Sequence, residues 1–217
     1  MNKVLPLLLT LLSFCVFGQK NPTKEAQPIV AEGKLLYKSE MASWYGTDLF
    51  LENYKNRENI GGYFSYTDND VAKCIFFSKS ENPKVIGTIS FDSTYNTKTA
   101  NTNLTERNFT TTENDLYEIR KLALVEIQSD TLFKNYNNKV SDWISTNASF
   151  QSDTLFKNYN NSSLNLIPII NGKEKKVYVL TGPKNNGVVI FGNDYLLTFN
   201  KDNKLMVKKQ LHKNIIP

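Results

Sequence analysis

The sequence predicts an α+β fold: an antiparallel β-sheet, made of a three-stranded meander plus a C-terminal set of four to five strands, with two main helices packed on it. Three observations carry this expectation. Short runs rich in aromatic and β-branched residues recur between turn-forming clusters, which is the pattern of antiparallel strands. Asn171-Gly172 separates two such runs, a strong short-range hairpin signal. Two segments instead space their apolar residues three and four apart, the helical period. Helix, meander, helix and a larger strand set, in that order, form a layout in which helices cover a sheet face.

The chain opens with Met1-Asn2-Lys3 and an uncharged run over residues 4 to 17, rich in leucine and phenylalanine. A spanning helix needs roughly 20 apolar residues, and Gln19 and Lys20 turn the chain polar before that length is reached. The segment therefore reads as a cleavable signal peptide over residues 1 to 18, with Val16 and Gly18 as the small residues ahead of the cut. A lipoprotein acylated at Cys15 is the minority alternative, disfavoured by Phe14 before the cysteine. The expected location is exported, periplasmic or secreted. Residues 19 to 28, polar with two prolines, read as a flexible leader, and residues 29 to 217 as a single α+β domain.

The first helix is expected over residues 31 to 45, with Tyr37, Met41 and Trp44 as its apolar stripe and Gly46 just past its end. Leu49-Phe50-Leu51 suits either a longer helix or a strand. The meander comprises residues 62 to 66, 72 to 78 and 85 to 91, joined by Thr67-Asp68-Asn69-Asp70 and Ser80-Glu81-Asn82-Pro83. Residues 92 to 112 have few apolar anchors and read as a long loop with room for one irregular strand. The second helix, residues 113 to 133, starts at a capping pair, Thr110 with Glu113 or Thr112 with Asp115, and carries the stripe Leu116, Ile119, Ala123, Ile127. Strands are then expected over residues 164 to 170, 177 to 181, 188 to 191, 195 to 199 and 205 to 211.

Residues 128 to 138 and 151 to 161 both read QSDTLFKNYNN. Two copies fall short of a repeat architecture, which needs three or more units. They read as a local duplication, tolerated as a surface insertion within residues 134 to 161 because lengthening a loop costs only about 0.6 kcal/mol per doubling.

Chemistry is sparse. Cleavage would leave Cys74 as the only cysteine, so no internal disulfide is expected, and its apolar strand favours a buried thiol. The one histidine, His212, lies five residues from the end with no nucleophile elbow before it. One histidine and one cysteine fall short of a zinc set. The calcium-like Asp68-x-Asp70 and Asn200-x-Asp202 lack further oxygen ligands, and the loop Gly182 to Gly187 has Val188-Val189 where a phosphate loop needs Lys and Ser/Thr. No metal and no cofactor are expected. The net charge of +5 is mild and interleaved with acids, so no nucleic-acid partner is expected, and no transmembrane span.

Acid-base work without histidine requires paired carboxylates. Glu40 and Asp48 are the catalytic candidates, since Glu113 and Asp115 have structural work at a helix start. They flank the polar-aromatic stretch 41 to 47. The functional expectation is a non-enzymatic binding or interaction module of the cell envelope, whose partner is an envelope protein or glycan. Its candidate ligand-binding residues are Trp44, Tyr63, Phe64 and Tyr66, aromatic residues expected to present large surfaces. The alternative is a histidine-independent hydrolase acting on an envelope polymer. Asn103-Leu-Thr105 and Asn108-Phe-Thr110 match glycosylation acceptors, relevant only in a glycosylating host.

Overall fold

The computed structural model describes Lys24 and residues 26–130, 164–181 and 194–211. The signal segment, the duplicated insertion, the Gly182 loop, the expected strand at 188 to 191 and His212 lie outside the described residues. Contacts divide the chain into two units, Met1–Tyr37 and Lys38–Pro217, and the second holds every strand among the described residues.

The described elements are α1 (Ala26–Asn53), a 3-10 turn (Arg57–Asn59), β1 (Ile60–Asp68), β2 (Val71–Ser78), β3 (Val85–Phe91), β4 (Asn101–Asn103), α2 (Thr111–Ser129), β5 (Leu164–Asn171), β6 (Glu174–Thr181), β7 (Tyr195–Phe199) and β8 (Leu205–Gln210). The class is α+β and antiparallel, as expected. In place of one sheet, the described residues form two of four strands each, ordered β1-β2-β3-β4 and β5-β6-β7-β8. The added strand β4 comes from the Thr- and Asn-rich segment and pairs three residues with β3.

Local sequence explains the turns. Asn69 and Asp70 take φ of 47° and 65° between β1 and β2, the two left-handed positions of a tight hairpin, where Asn and Asp are tolerated. Gly172, at φ 60°, serves the β5–β6 turn without strain. Among the described residues no helix is long and apolar enough to cross a membrane.

Helix α1 corrects the sequence expectation twice. It runs from Ala26 through Leu49-Phe50-Leu51 to Asn53, and Gly46 lies inside it rather than after it. The stripe read from Tyr37, Met41 and Trp44 is not its buried face: Tyr37 is 60% and Trp44 64% exposed, while Ser39, Ala42, Ser43, Gly46 and Phe50 are buried. The reason is steric. The strands beneath raise Phe76, Phe91, Cys74 and Ile89 toward the helix, so only its thin side comes close enough to pack. A Cβ on Gly46 would stand 2.7 Å from the Cys74 Cβ. Phe50 then stacks on Phe76 with ring centroids 3.8 Å apart, and the Ser43 hydroxyl donates to Ser65 Oγ at 2.8 Å, satisfying two polar groups that the close approach buries.

Helix α2 follows its pattern. Thr110 is the N-cap and Glu113 closes the capping box, while Leu116, Ile119, Ala123 and Ile127 are all buried. The helix ends at Ser129, not 133, because Asp130 turns extended and its N–H bonds the Ile127 carbonyl. Leu116 belongs to the apolar cluster of the first sheet with Phe64, Ile75 and Phe77. Ile119, Ala123 and Ile127 join Leu166, Val177 and Leu197 of the second. Burying each large aliphatic side chain contributes about 1.5–3 kcal/mol, so one helix supplies anchors to both cores.

Candidate functional site

The strand register of the first sheet creates two rows across the face that α2 meets. One row is Phe64, Ile75, Thr88, Asn103; the other is Tyr66, Lys73, Ser90, Asn101. Each row passes from aromatic or apolar side chains toward polar ones as it approaches β4. The N-terminal turn of α2 covers the apolar corner, where Phe77, Phe109 and Tyr117 gather around Leu116. The polar corner stays open as a cleft of about 490 Å³, floored by the second row and by Thr88 and Asn103 of the first, and walled by Arg107, Thr110, Thr112 and Glu113.

The wall is held by one carboxylate. Glu113 is 2% exposed. Arg107 Nη1 donates to its Oε2 at 2.6 Å and Nη2 to its Oε1 at 2.8 Å. The Thr110 N–H donates to Oε2 at 2.8 Å, and the Tyr66 hydroxyl to Oε1 at 3.4 Å. Burial works against its ionisation, but the Arg107 pair and the Thr110 bonds outweigh it and hold the carboxyl below its ordinary 4.5. Arg107 is placed by a bridge whose backbone bonds to Val85 are 2.9 and 3.0 Å, and its Nη2 also reaches Thr88 Oγ1 at 3.2 Å. Hydrogen bonding to Glu113 raises its pKa. On the floor, Lys73 donates to Asp68 at 2.7 Å and lies 5.7 Å from the Tyr66 ring centre. Burial first, then the negative charges of Glu113 and Asp68, raise the Tyr66 phenol. Each cation around the cleft thus has its own carboxylate, and the phenol stays protonated.

The sequence candidates are dispersed. Tyr66 lines the cleft and is largely buried. Phe64 is 0% exposed, inside the apolar corner. Tyr63 points to the opposite face, beside Phe76, where burial pushes its phenol up to about 12. Trp44 stands on the exposed side of α1. Glu40 is half-buried, accepts a bond from the Asn165 amide at 2.5 Å, and has its pKa raised by burial, which that bond partly offsets. Asp48 is exposed. Glu40 and Asp48 stand eight positions apart on α1, a backbone rise of about 12 Å, the first half-buried and the second exposed.

Arg107, Ser90, Asn101 and Asn103 were missed. Arg107 sits in a loop without periodic pattern, and the Asn residues are commonplace in this composition; only the pairing of β4 with β3 places them. The one legible signal was the capping pair of Thr110 and Glu113. Among the described residues, no three of His, Cys, Asp and Glu gather as a metal site. Comparison with protein-family models, curated proteins and solved structures returns no match.

Proposed function

We propose that the chain is an exported, non-enzymatic binding module whose ligand enters the cleft beside the start of α2. The observation that supports this reading most is the wall itself: the hydrogen-bonded set of Arg107, Glu113 and Thr110 borders an open space lined by polar side chains. A general acid or base needs a proton to give or take near working pH. Glu113 is bound on all sides and held ionised, Arg107 is locked to it, and Tyr66 is driven away from ionisation. Such groups recognise and do not turn over. Export rests on the signal pattern of residues 1 to 18 and places the ligand in the envelope or outside the cell.

The test uses the mature protein labelled with nitrogen-15, in which the side-chain amides of Asn101 and Asn103 report occupancy. Fractions of the host's own envelope extract should shift these signals in wild type and not in Ser90→Trp, which fills the floor. Glu40→Gln and Asp48→Asn should leave the shifts intact. No shift with any fraction, or the same shift in the filled variant, refutes the cleft. Turnover of an envelope polymer that is lost with either amide variant refutes the non-enzymatic reading.

A further inference from the structure

We infer that the ligand of this cleft is an uncharged saccharide, held through hydroxyl and carboxamide groups of the β3–β4 floor; this rests on the binding reading above. Charge decides the class first. Lys73 is paired with Asp68 and Arg107 with Glu113, so the lining carries two cations and two anions, each already bonded to its partner. A charged ligand would have to compete with one of these pairs: at Arg107–Glu113 that would leave a buried carboxylate short of compensation, while the more exposed Lys73–Asp68 pair resists less. The positive end of α2 is answered as well, because the Glu113 carboxylate sits on its first turn. An anion therefore meets cations that each already have a carboxylate partner.

What remains unspent is neutral. Ser90, Asn101 and Thr112 line the cleft with side-chain groups that have no partner among the described residues, and Asn103 uses only its oxygen, which accepts from the Thr105 N–H at 2.9 Å, leaving its NH₂ to donate. Hydroxyls and carboxamides both donate and accept. A sugar ring presents the same alternation, each hydroxyl giving one bond and taking others, so these groups match it without burying an unpaired charge. The register spaces them correctly for one extended ligand: Ser90 opposes Asn101 and Thr88 opposes Asn103, which places both carboxamides two residues apart on the same face of β4. The volume of about 490 Å³ lies within the ~300–1,000 Å³ of small-molecule clefts and suits a short oligosaccharide.

The experiment titrates the mature protein separately with four neutral tetrasaccharides (of N-acetylglucosamine, β-glucose, α-glucose and mannose) and with two anionic probes, tetragalacturonate and inorganic phosphate. The Asn101 and Asn103 amide signals are the readout. At least one neutral sugar should move both. Asn101→Ala and Asn103→Ala, each at an exposed position, should weaken it roughly 3- to 10-fold, as the loss of one or two neutral hydrogen bonds implies. Affinity should hold within about twofold between ~50 and ~500 mM salt, since no net charge is engaged. Tighter binding of galacturonate or phosphate, weakened by salt, overturns the saccharide class. Silence with all four sugars while envelope fractions still move the two signals also overturns it and leaves the binding module standing; silence with both removes the module itself.

Discussion

Replacing Glu113 by glutamine tests whether this one carboxylate holds the cleft wall. Glutamine keeps the length of the side chain and can still serve the N-cap, so the change falls on Arg107. Two bonds of 2.6 and 2.8 Å to a full negative charge become one bond to a neutral oxygen, with an amide NH₂ facing the guanidinium. Bonds to charged groups contribute about 1.5–3 kcal/mol and neutral ones about 0.5–1.5. Arg107 is 35% exposed at its side chain, so water takes up part of what it loses, and the net destabilisation should be about 2 kcal/mol. For a chain of this size that lowers Tm by about 4–8 °C. The effect must also depend on pH with a definite sign. The folded pKa of Glu113 lies below its ordinary 4.5; its stabilisation is complete above that value and is lost as pH falls through the folded pKa. Urea unfolding of wild type and variant should therefore give a gap near 2 kcal/mol at about pH 7 that shrinks by about pH 3. A gap under about 0.5 kcal/mol at neutral pH, or one that stays constant into acid, refutes the wall as described.

Other expectations are independent of the cleft. Glu40→Gln should unfold at equal or higher denaturant than wild type at neutral pH: burial raises the Glu40 carboxyl pKa, so its ionised form burdens the fold above 4.5 and ceases to as pH falls. Lower stability of Glu40→Gln would show the charge itself to be needed. Cys74, fully buried with its thiol pushed up to about 12, should resist a thiol reagent such as Ellman's until the protein is denatured, and non-reducing gels should show no disulfide dimer; rapid labelling of native protein would contradict its placement. Gly46→Ala should cost about 1–3 kcal/mol through overpacking and should not be rescued by Cys74→Ala, because the nearest atom is the Cys74 Cβ at 2.7 Å and not its sulfur; chemical denaturation of the double variant decides.

What could be read from the sequence was local. The S/T-x-x-E spacing of Thr110 and Glu113 announced the start of α2, its stripe announced the buried face, and Asn171-Gly172 and the alternation at 195 to 199 announced strands that the structure places there. What was not legible depends on partners distant in the chain. Nothing within the strands says that pairing stops between two groups of four. Tyr37 and Trp44 looked like a buried stripe because they are large; the sheet's own aromatics had already claimed that space, and small residues won the interface. The cleft escaped notice because its parts are individually ordinary. Arg107 becomes a wall only through Val85 and Glu113, and Asn101 becomes a floor only through Ser90.

The sharing of α2 between both sheets makes the cleft wall hostage to strands far along the chain. Glu113 stands on the first turn of a helix whose later inward residues, Ile119, Ala123 and Ile127, pack among the described residues on strands that begin after residue 163. Lys208 of β8 clasps the other end of that helix through Glu126 and Asp130. A fragment ending at Asp130 would contain every residue of the cleft and yet leave that helix with an apolar flank bare to water. Domain trimming, proteolytic nicking or a late frameshift would thus loosen the cleft wall from a distance, without touching a residue that lines it.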